Sequence, residues 1–452
     1  MKTTDISDLS ELGLPIQLPG RVRFNAGPAV AEGIVEAVIP SQDLAEEFAH
    51  LAGAAPEAFP LSTRVFAFHV REGDEVVVRT ADGGLPLVVR RDGEVIINFD
   101  IRATQAFQFS DSKRPIYTYI PGFNIQSVPE GIRRPVSNLV ESLRGPRRVD
   151  MSGNWRRLPL TDFDFTVLLL NTILARGLPQ RPQPFRWPAG KRAVFVSLHD
   201  VDTPGLLRRR DRDPLLRIET EHQIRSTWFV PTGLLERPNH SVDFLLESGH
   251  DVGWHGHKHD HRDHVKPFAD RAVNAFNHSR LGDPANHPVG MRLPKLLKSN
   301  YIFQLLERLS PTLCYDTSFL RGIVPYNLSL NGKQSRILEI PCTVPTDILV
   351  YNQLGGLGGA SKADAILQAQ IARTERLIEV GALISIVTHP EPGLSERPDF
   401  LEVYSRYLDY ICNCRDIWFA TAGELFKYWS QNNDGSGPRI TNPPQPPEVL
   451  TQ

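Results

Sequence analysis

The rhythm of apolar and polar positions changes twice along the chain. Residues 44–51 (LAEEFAHL) space their apolar side chains as a short helix does. From 64 to 100 the rhythm becomes that of strands. Runs at 65–68 (VFAF), 75–78 (EVVV), 87–89 (LVV) and 95–97 (VII) are rich in β-branched residues, with Asp82-Gly83 and Asp92-Gly93 as hairpin punctuation between them. Helical spacing returns at 136–143 and 163–176. Residues 1–185 are therefore expected to form a small α+β domain, and no catalytic constellation stands out in it.

Pro179, Pro182, Pro184 and Pro188 then crowd into GLPQRPQPFRWPAG. Proline fixes φ and removes amide donors, so this stretch reads as a semi-rigid connector, with the boundary near residue 185. Behind it strands and helices alternate. Residues 192–198 (RAVFVSL) form a nearly continuous apolar run, the mark of a strand buried on both faces of a parallel sheet. Strands are expected again at 226–230, 251–254, 337–340, 383–387 and 418–420, and helices at 215–223, 242–247, 301–309 and 363–379. Repeated strand–helix units over residues 186–430 predict an incomplete (β/α) barrel, followed by a disordered tail over 431–452.

Composition narrows the class. A chain of 452 residues exceeds one ordinary core, which favours two domains. Hydrophobic and charged fractions of 41% and 23% are those of a soluble globular protein, and a net charge of −2 gives no reason to expect nucleic acid. Arg208-Arg209-Arg210 reads as a solvated loop. The longest apolar run, residues 165–175, is shorter than the ~20 residues a membrane span takes. The N-terminus has neither a basic segment before an apolar core nor a small-residue cleavage site, so a cytoplasmic location is expected. Cys314, Cys342, Cys412 and Cys414 contain no Cys-x-x-Cys pair and read as reduced and mostly buried.

Chemistry gathers where the strands end, as it does in barrels. Residues 249–264, GHDVGWHGHKHDHRDH, hold six of the fourteen histidines. His255 and His259 stand four apart, so one helical turn would set both imidazoles on one face, with Gly256 allowing tight or left-handed backbone between them. The first of the buried strands ends in His199-Asp200-Val201-Asp202. Arg292 precedes Leu293-Pro294, residues 313–319 read LCYDTSF, and the strand at 383–387 runs into Thr388-His389. His257, His261 and His264 read as solvated, Trp254 as a core or pocket-wall residue, and His199 as support behind the site. Asp316 suits either an Asx turn or the site.

Taken in order, these motifs resemble the polysaccharide deacetylase family, carbohydrate esterase family four. Asp200 and Asp202 match its Asp-x-Asp opening motif, with His199 where many members carry Phe. His255 to His259 match its His-x-x-x-His motif, and residues 226–230 (STWFV) resemble the strand between the two. Arg292 and Pro294 match the arginine motif, although Lys295 and Leu296 replace the usual aromatic or Gly. Residues 315–318 (YDTS) resemble Tyr-Asp-Ser-Ser, and His389 matches the closing Leu-x-His with Val387 replacing Leu. The resemblance covers about residues 186–430 and leaves the first 185 outside it, where some cytoplasmic members carry an accessory domain. It implies a distorted, incomplete (β/α) barrel binding a divalent metal, usually zinc, with Asp200 as base and Asp202 as ligand. An acidic residue near position 347 is implied as well, which suggests Asp347 as the group that fixes His389.

The chemistry is coherent with that implication. Asp202, His255 and His259 offer one oxygen and two nitrogens and leave positions open on a catalytic metal. Asp200 would take a proton from water, His389 would protonate the departing amine, and Arg292 would orient Asp200 and keep it ionised. The function expected is removal of an acetyl group from an N-acetylated sugar, with O-acetyl as the lesser candidate. In a cytoplasmic enzyme a nucleotide-linked or lipid-linked glycan precursor suits better than a polymer. The alternatives are the same fold acting on an imide or formamide, or a metal-free carbohydrate-binding protein, which needs no base, acid and arginine together. A two-histidine, one-carboxylate set also describes non-haem iron oxygenases, but those favour a β-sandwich. The sequence leaves the oligomeric state open.

Overall fold

The computed structural model describes residues 4–6, 22–25, 28–52, 59–112, 157–176, 178, 184–202, 213–236, 240–260, 262–283, 288–347, 360–390, 395 and 398–433. The helix expected at 136–143, the arginines 208–210, His261 and the tail from 434 onward lie outside the described residues.

The N-terminal part forms a seven-stranded sheet. Its strands are β1 (Thr4–Ile6), β2 (Val22–Phe24), β3 (Ala29–Val38), β4 (Phe59–Phe66), β5 (Glu75–Thr80), β6 (Pro86–Arg91) and β7 (Glu94–Ile97), in the order β1-β2-β7-β6-β5-β3-β4. Every pairing is antiparallel except β2 with β7. Helix α1 (Gln42–Ala52) lies between β3 and β4, and the short α2 (Ile101–Gln105) leads into β8 (Ala106–Phe107).

Helix α3 (Asp162–Ala175) connects this sheet to the C-terminal half of the chain. Thr161 and Asp164 cap its start reciprocally, which satisfies two backbone donors that would otherwise be orphaned. Of its 14 residues only Asp162 and Leu174 escape full burial. Phe165 packs against Phe48 and Phe59 on the N-terminal side, while Asp164 Oδ2 accepts the Ile323 N–H at 3.1 Å on the other. One hydrophobic core runs from Val22 through α3 to Trp429.

The second sheet has ten strands. Its parallel members are β9 (Ala193–Asp200), β10 (Thr227–Val230), β11 (Asp251–Trp254), β12 (Val289–Met291) and β13 (Leu313–Asp316), then β15 (Lys333–Glu339) after the hairpin strand β14 (Tyr326–Leu330). Strand β16 (Leu383–Thr388) lies on the other side of β9, and β17 (Ile417–Phe419) pairs with its first residues. β8 joins the far edge beside β14. The helices between these strands are α4 (Pro214–Glu221), α5 (His240–Glu247), α6 (Phe268–Asn277), α7 (Asn300–Leu309), α8 (Ala360–Glu379), α9 (Pro398–Asn413) and α10 (Ala422–Asn433).

All eight residues of β9 are buried, as its nearly continuous apolar run leads one to expect. The sheet curls into an incomplete barrel. Among the described residues no strand ladder joins β15 to β16; the gap is crossed by backbone bonds from coil, Val344 N–H to Ser385 O (3.0 Å) and Leu383 N–H to Ile323 O (2.9 Å). Among the described residues no helix is long and apolar enough to cross a membrane.

Candidate metal centre and acid–base pair

The ends of β9, β11, β12 and β16 bring five of the seven expected site residues together, and coil after β15 and β11 supplies the other two. Asp200 closes β9 and Asp202 follows it by two positions. His255 follows β11, and its backbone N–H is tied to Val230 O at 3.0 Å. The segment from His255 to His259 is not the helical turn expected from its spacing. It is an irregular turn in which Gly256 (φ 73°) and His259 (φ 50°) both take left-handed backbone. An i, i+4 pair meets across a helix and equally across a reversal of this kind, so spacing alone did not distinguish them.

The turn is fastened from two sides. After β10, Thr232 and Gly233 donate their N–H groups to Gly256 O (3.0 Å) and His257 O (2.6 Å), and Thr232 Oγ1 meets His257 Nδ1 at 3.0 Å. From the other side Asp263 Oδ2 accepts the His257 N–H at 2.9 Å. Burial pushes the Asp263 carboxyl up to about 7, with that hydrogen bond opposing the shift.

Three donor atoms converge. His255 Nε2 and His259 Nε2 lie 3.2 and 3.0 Å from the same Asp202 oxygen, Oδ1. One ligand atom from each of the three residues fits within 4.8 Å of the others. A divalent cation suits this set for a specific reason. His255 Nδ1 lies 2.7 Å from Arg292 O, so it must donate, and Nε2 of the neutral ring is a bare lone pair facing a carboxylate oxygen. Two lone pairs at that distance repel unless a proton or a cation lies between them. With a proton in that place, burial opposes ionisation of Asp202, but the charge on His259 and the hydrogen bonds from His255 and His259 outweigh it and hold its carboxyl well below the usual range.

Beside the cluster, Arg292 Nε donates to Asp200 Oδ2 at 2.6 Å, and both side chains are buried. Its Nη1 donates to Thr317 O and to Cys342 Sγ, the latter at 2.8 Å. Burial works against the charge on Asp200, but Arg292 first, then His255 and His389, pull its carboxyl below the ordinary value. Asp200 Oδ1 is buried and has no hydrogen-bond partner among the described residues.

His389, after β16, sets Nε2 3.5 Å from Asp200 Oδ2, while its Nδ1 lies 2.8 Å from Asp347 Oδ1. Burial lowers the affinity of this imidazole for a proton. The charge and hydrogen bond of Asp347, followed by Asp202 and Asp200, outweigh that and push it up to about 10. A buried carboxylate held ionised thus stands beside an imidazole held protonated, next to three residues that could hold a metal ion. Such an arrangement can take a proton from one group and give one to another.

Other expected residues fall into place behind these. His199 is fully buried, with Nδ1 2.7 Å from Thr388 Oγ1 and Nε2 2.9 Å from Glu219 Oε1. Glu219 also accepts from Ser226 Oγ and Tyr404 OH, both at 2.7 Å. Burial would raise its carboxyl, but His199 leads the groups that bring it down to about 2. Asp316 accepts from Ser318 Oγ at 2.6 Å, and Ser318 Oγ in turn accepts the N–H of Leu293, next to Arg292. Burial raises the carboxyls of both Asp316 and its neighbour Glu339, and Ser318 links Asp316 to the backbone beside Arg292.

Trp254 is fully buried against Phe276, a core position. His257 is half-buried, and His264, expected in solvent, is 2% exposed. Its segment is folded inward, with Ser299 Oγ donating to its carbonyl. All four cysteines are free, but only Cys342 is fully buried; Cys314 and Cys414 are half-buried and Cys412 exposed. Glu219, Asp263, Cys342 and Ser395 also take part; Glu219, Cys342 and Ser395 lie in no motif, and Asp263, although inside the histidine-rich stretch, was not singled out there.

No protein-family model matches the sequence, and no curated protein matches it. Solved structures of similar shape include the allantoinase PuuE, 16% identical over 56% of this chain and 94% of that one, with a TM-score of 0.45. A protein described as a polysaccharide deacetylase from Pseudomonas aeruginosa PAO1 is 17% identical over 57% of this chain and 96% of its own, with a TM-score of 0.43. A family 4 carbohydrate esterase from Streptomyces lividans is 17% identical over 51% and 92%, with a TM-score of 0.33.

Proposed function

We propose that the chain is a metal-dependent hydrolase that removes the acetyl group from an N-acetylated sugar or glycan precursor. The observation that carries this reading is the pairing of Asp200, clasped by Arg292, with His389, backed by Asp347, directly beside the Asp202–His255–His259 set. When bound there, a divalent ion, with zinc as our assignment from the N/N/O donors, polarises a carbonyl oxygen and acidifies water.

The protein's own residues do the rest. Arg292 holds one oxygen of Asp200 and keeps the carboxylate charged in a buried setting, so the other oxygen, Oδ1, is left to take a proton from attacking water. His389 carries its proton on Nε2, toward the reacting centre, because Asp347 holds Nδ1. It delivers that proton to the amine nitrogen as the carbon–nitrogen bond breaks, which spares the release of an unstable amide anion. Arg292 also receives the Nδ1 hydrogen bond of His255 on its carbonyl, so one residue orients both the base and a ligand.

The test is metal analysis of untagged protein, together with hydrolysis of 4-nitrophenyl acetate and of N,N′-diacetylchitobiose by the parent, Asp202→Ala and His255→Ala. We expect stoichiometric metal and activity in the parent and loss of both in the variants. Activity in protein free of metal defeats the reading.

A further inference from the structure

Asp347 does more than face one nitrogen of His389. Its Oδ1 meets His389 Nδ1 at 2.8 Å, and its Oδ2 accepts the backbone N–H of the same residue at 2.6 Å. One carboxylate therefore grips the histidine by ring and backbone together. Another donor reaches Oδ2 as well, the hydroxyl of Ser395. All three residues are buried, with exposures of 2% for Ser395, 4% for Asp347 and 7% for His389. The three groups come from different segments: Asp347 from coil after β15, His389 from the end of β16 and Ser395 from the stretch beyond it.

Geometry gives the hydroxyl a specific task. The ring and backbone bonds to Asp347 both come from His389, so they tie the carboxylate to the histidine and not to the surrounding fold. The Ser395 hydroxyl bonds Oδ2 from a different residue, which steadies the carboxylate and with it the imidazole that the carboxylate holds. Donors on a carboxylate also favour its ionised form. An ionised Asp347 requires an N–H at Nδ1, which leaves Nε2 as the atom turned to Asp200.

We infer that Ser395 is a positioning residue for the proton donor, locking Asp347 so that His389 Nε2 faces the reacting centre. This rests on the reading of His389 as the acid. Nothing in the local sequence around Ser395 announces the role, because it exists only where three chain segments meet.

The test uses Ser395→Ala and Ser395→Thr in the full-length, metal-loaded protein. The first readout needs no substrate. It is the low-field proton resonance of His389 Nδ1–H, assigned by its disappearance in His389→Ala. In Ser395→Ala that proton should shift and exchange with solvent about tenfold faster, the effect of losing one charge-assisted hydrogen bond partly replaced by water. The kcat on N,N′-diacetylchitobiose should fall by about tenfold with KM and metal content unchanged. Hydrolysis of 4-nitrophenyl acetate, whose leaving group needs no acid, should hardly change. Ser395→Thr should restore both signal and rate.

A Ser395→Ala protein with the parent's Nδ1–H resonance and amide kcat overturns the inference. So do equal losses on the amide and the ester, the signature of a general packing defect. If the parent hydrolyses neither substrate, the deacetylase reading falls, while the resonance still decides whether Ser395 locks Asp347 to His389.

Discussion

Gly256→Ala tests the turn that carries the ligand pair, because it leaves all three donor atoms in place and changes only their geometry. Two costs can be worked out. Gly256 has φ of 73°, and left-handed backbone costs a residue with a Cβ about 1–2 kcal/mol. The added methyl would lie 2.5 Å from Asp263 Oδ2 and 2.8 Å from Pro294 Cγ, closer than real contacts allow. Relieving such overpacking costs typically about 1–3 kcal/mol. The first cost weighs on the fold with or without an ion. The second moves Asp263, which holds the His257 N–H, and so shifts His259 relative to His255. If it falls on the bound state alone, affinity weakens by about 5- to 150-fold. Competition against a chromogenic zinc chelator measures that loss, and thermal unfolding of the metal-free protein measures the first cost separately. A variant that binds zinc as tightly as its parent would show that the turn does not set the ligand geometry, and the reasoning fails.

Asp200→Asn should keep the metal and lose most turnover, whereas Asp202→Asn should lose both; equal metal contents in the two variants would show the roles wrongly assigned. His389 is pushed up to about 10, so the proton-bearing form it needs as acid disappears only as pH rises toward that value. Asp347→Asn removes the first partner that raises it, so the alkaline limb of kcat should move to lower pH; an unmoved limb refutes the assignment. Glu219→Gln takes the carboxylate from a buried network of His199, Ser226 and Tyr404 and should cost about 1–3 kcal/mol, read as a lower midpoint in urea with the m-value unchanged. Because Glu219 is depressed from 4.5 to about 2, its contribution to stability is present above pH ~4.5 and fades as pH falls toward 2, and the variant should lose that part of the acid dependence.

Much of the second half of the chain was legible for a physical reason. Strands buried on both faces, such as β9 and β16, have no solvent side and so print as nearly continuous apolar runs. The residues just beyond such runs are then marked by position, which is how Asp200 and His389 stood out, whereas Arg292 stood out by its place before Leu293-Pro294. Helix α9 was not expected from the sequence: Val403, Tyr404, Tyr407, Leu408 and Ile411 form its buried stripe, but the tyrosines blur the contrast between apolar and polar faces. The hydroxyls of Tyr404 and Tyr407 bond to Glu219 and Thr374, so polar atoms lie on the buried face. β8 has two residues and gains its place only by pairing with β14, far along the chain. Asp263, Cys342 and Ser395 were out of reach because each acts through a partner set by tertiary contact, with no spacing to betray it.

The burial of α3 has a thermodynamic consequence. A helix whose residues are shared between two sheets cannot lose one neighbour without exposing its apolar flank to water, at ~25 cal/mol for each Å². Melting of the N-terminal sheet is therefore coupled to melting of the barrel, and a calorimetric trace should hold one endotherm, with van't Hoff and calorimetric enthalpies in agreement. Heat, denaturant or a core substitution as distant as Phe48 then acts on the same equilibrium that keeps Asp200 and His389 within reach of each other.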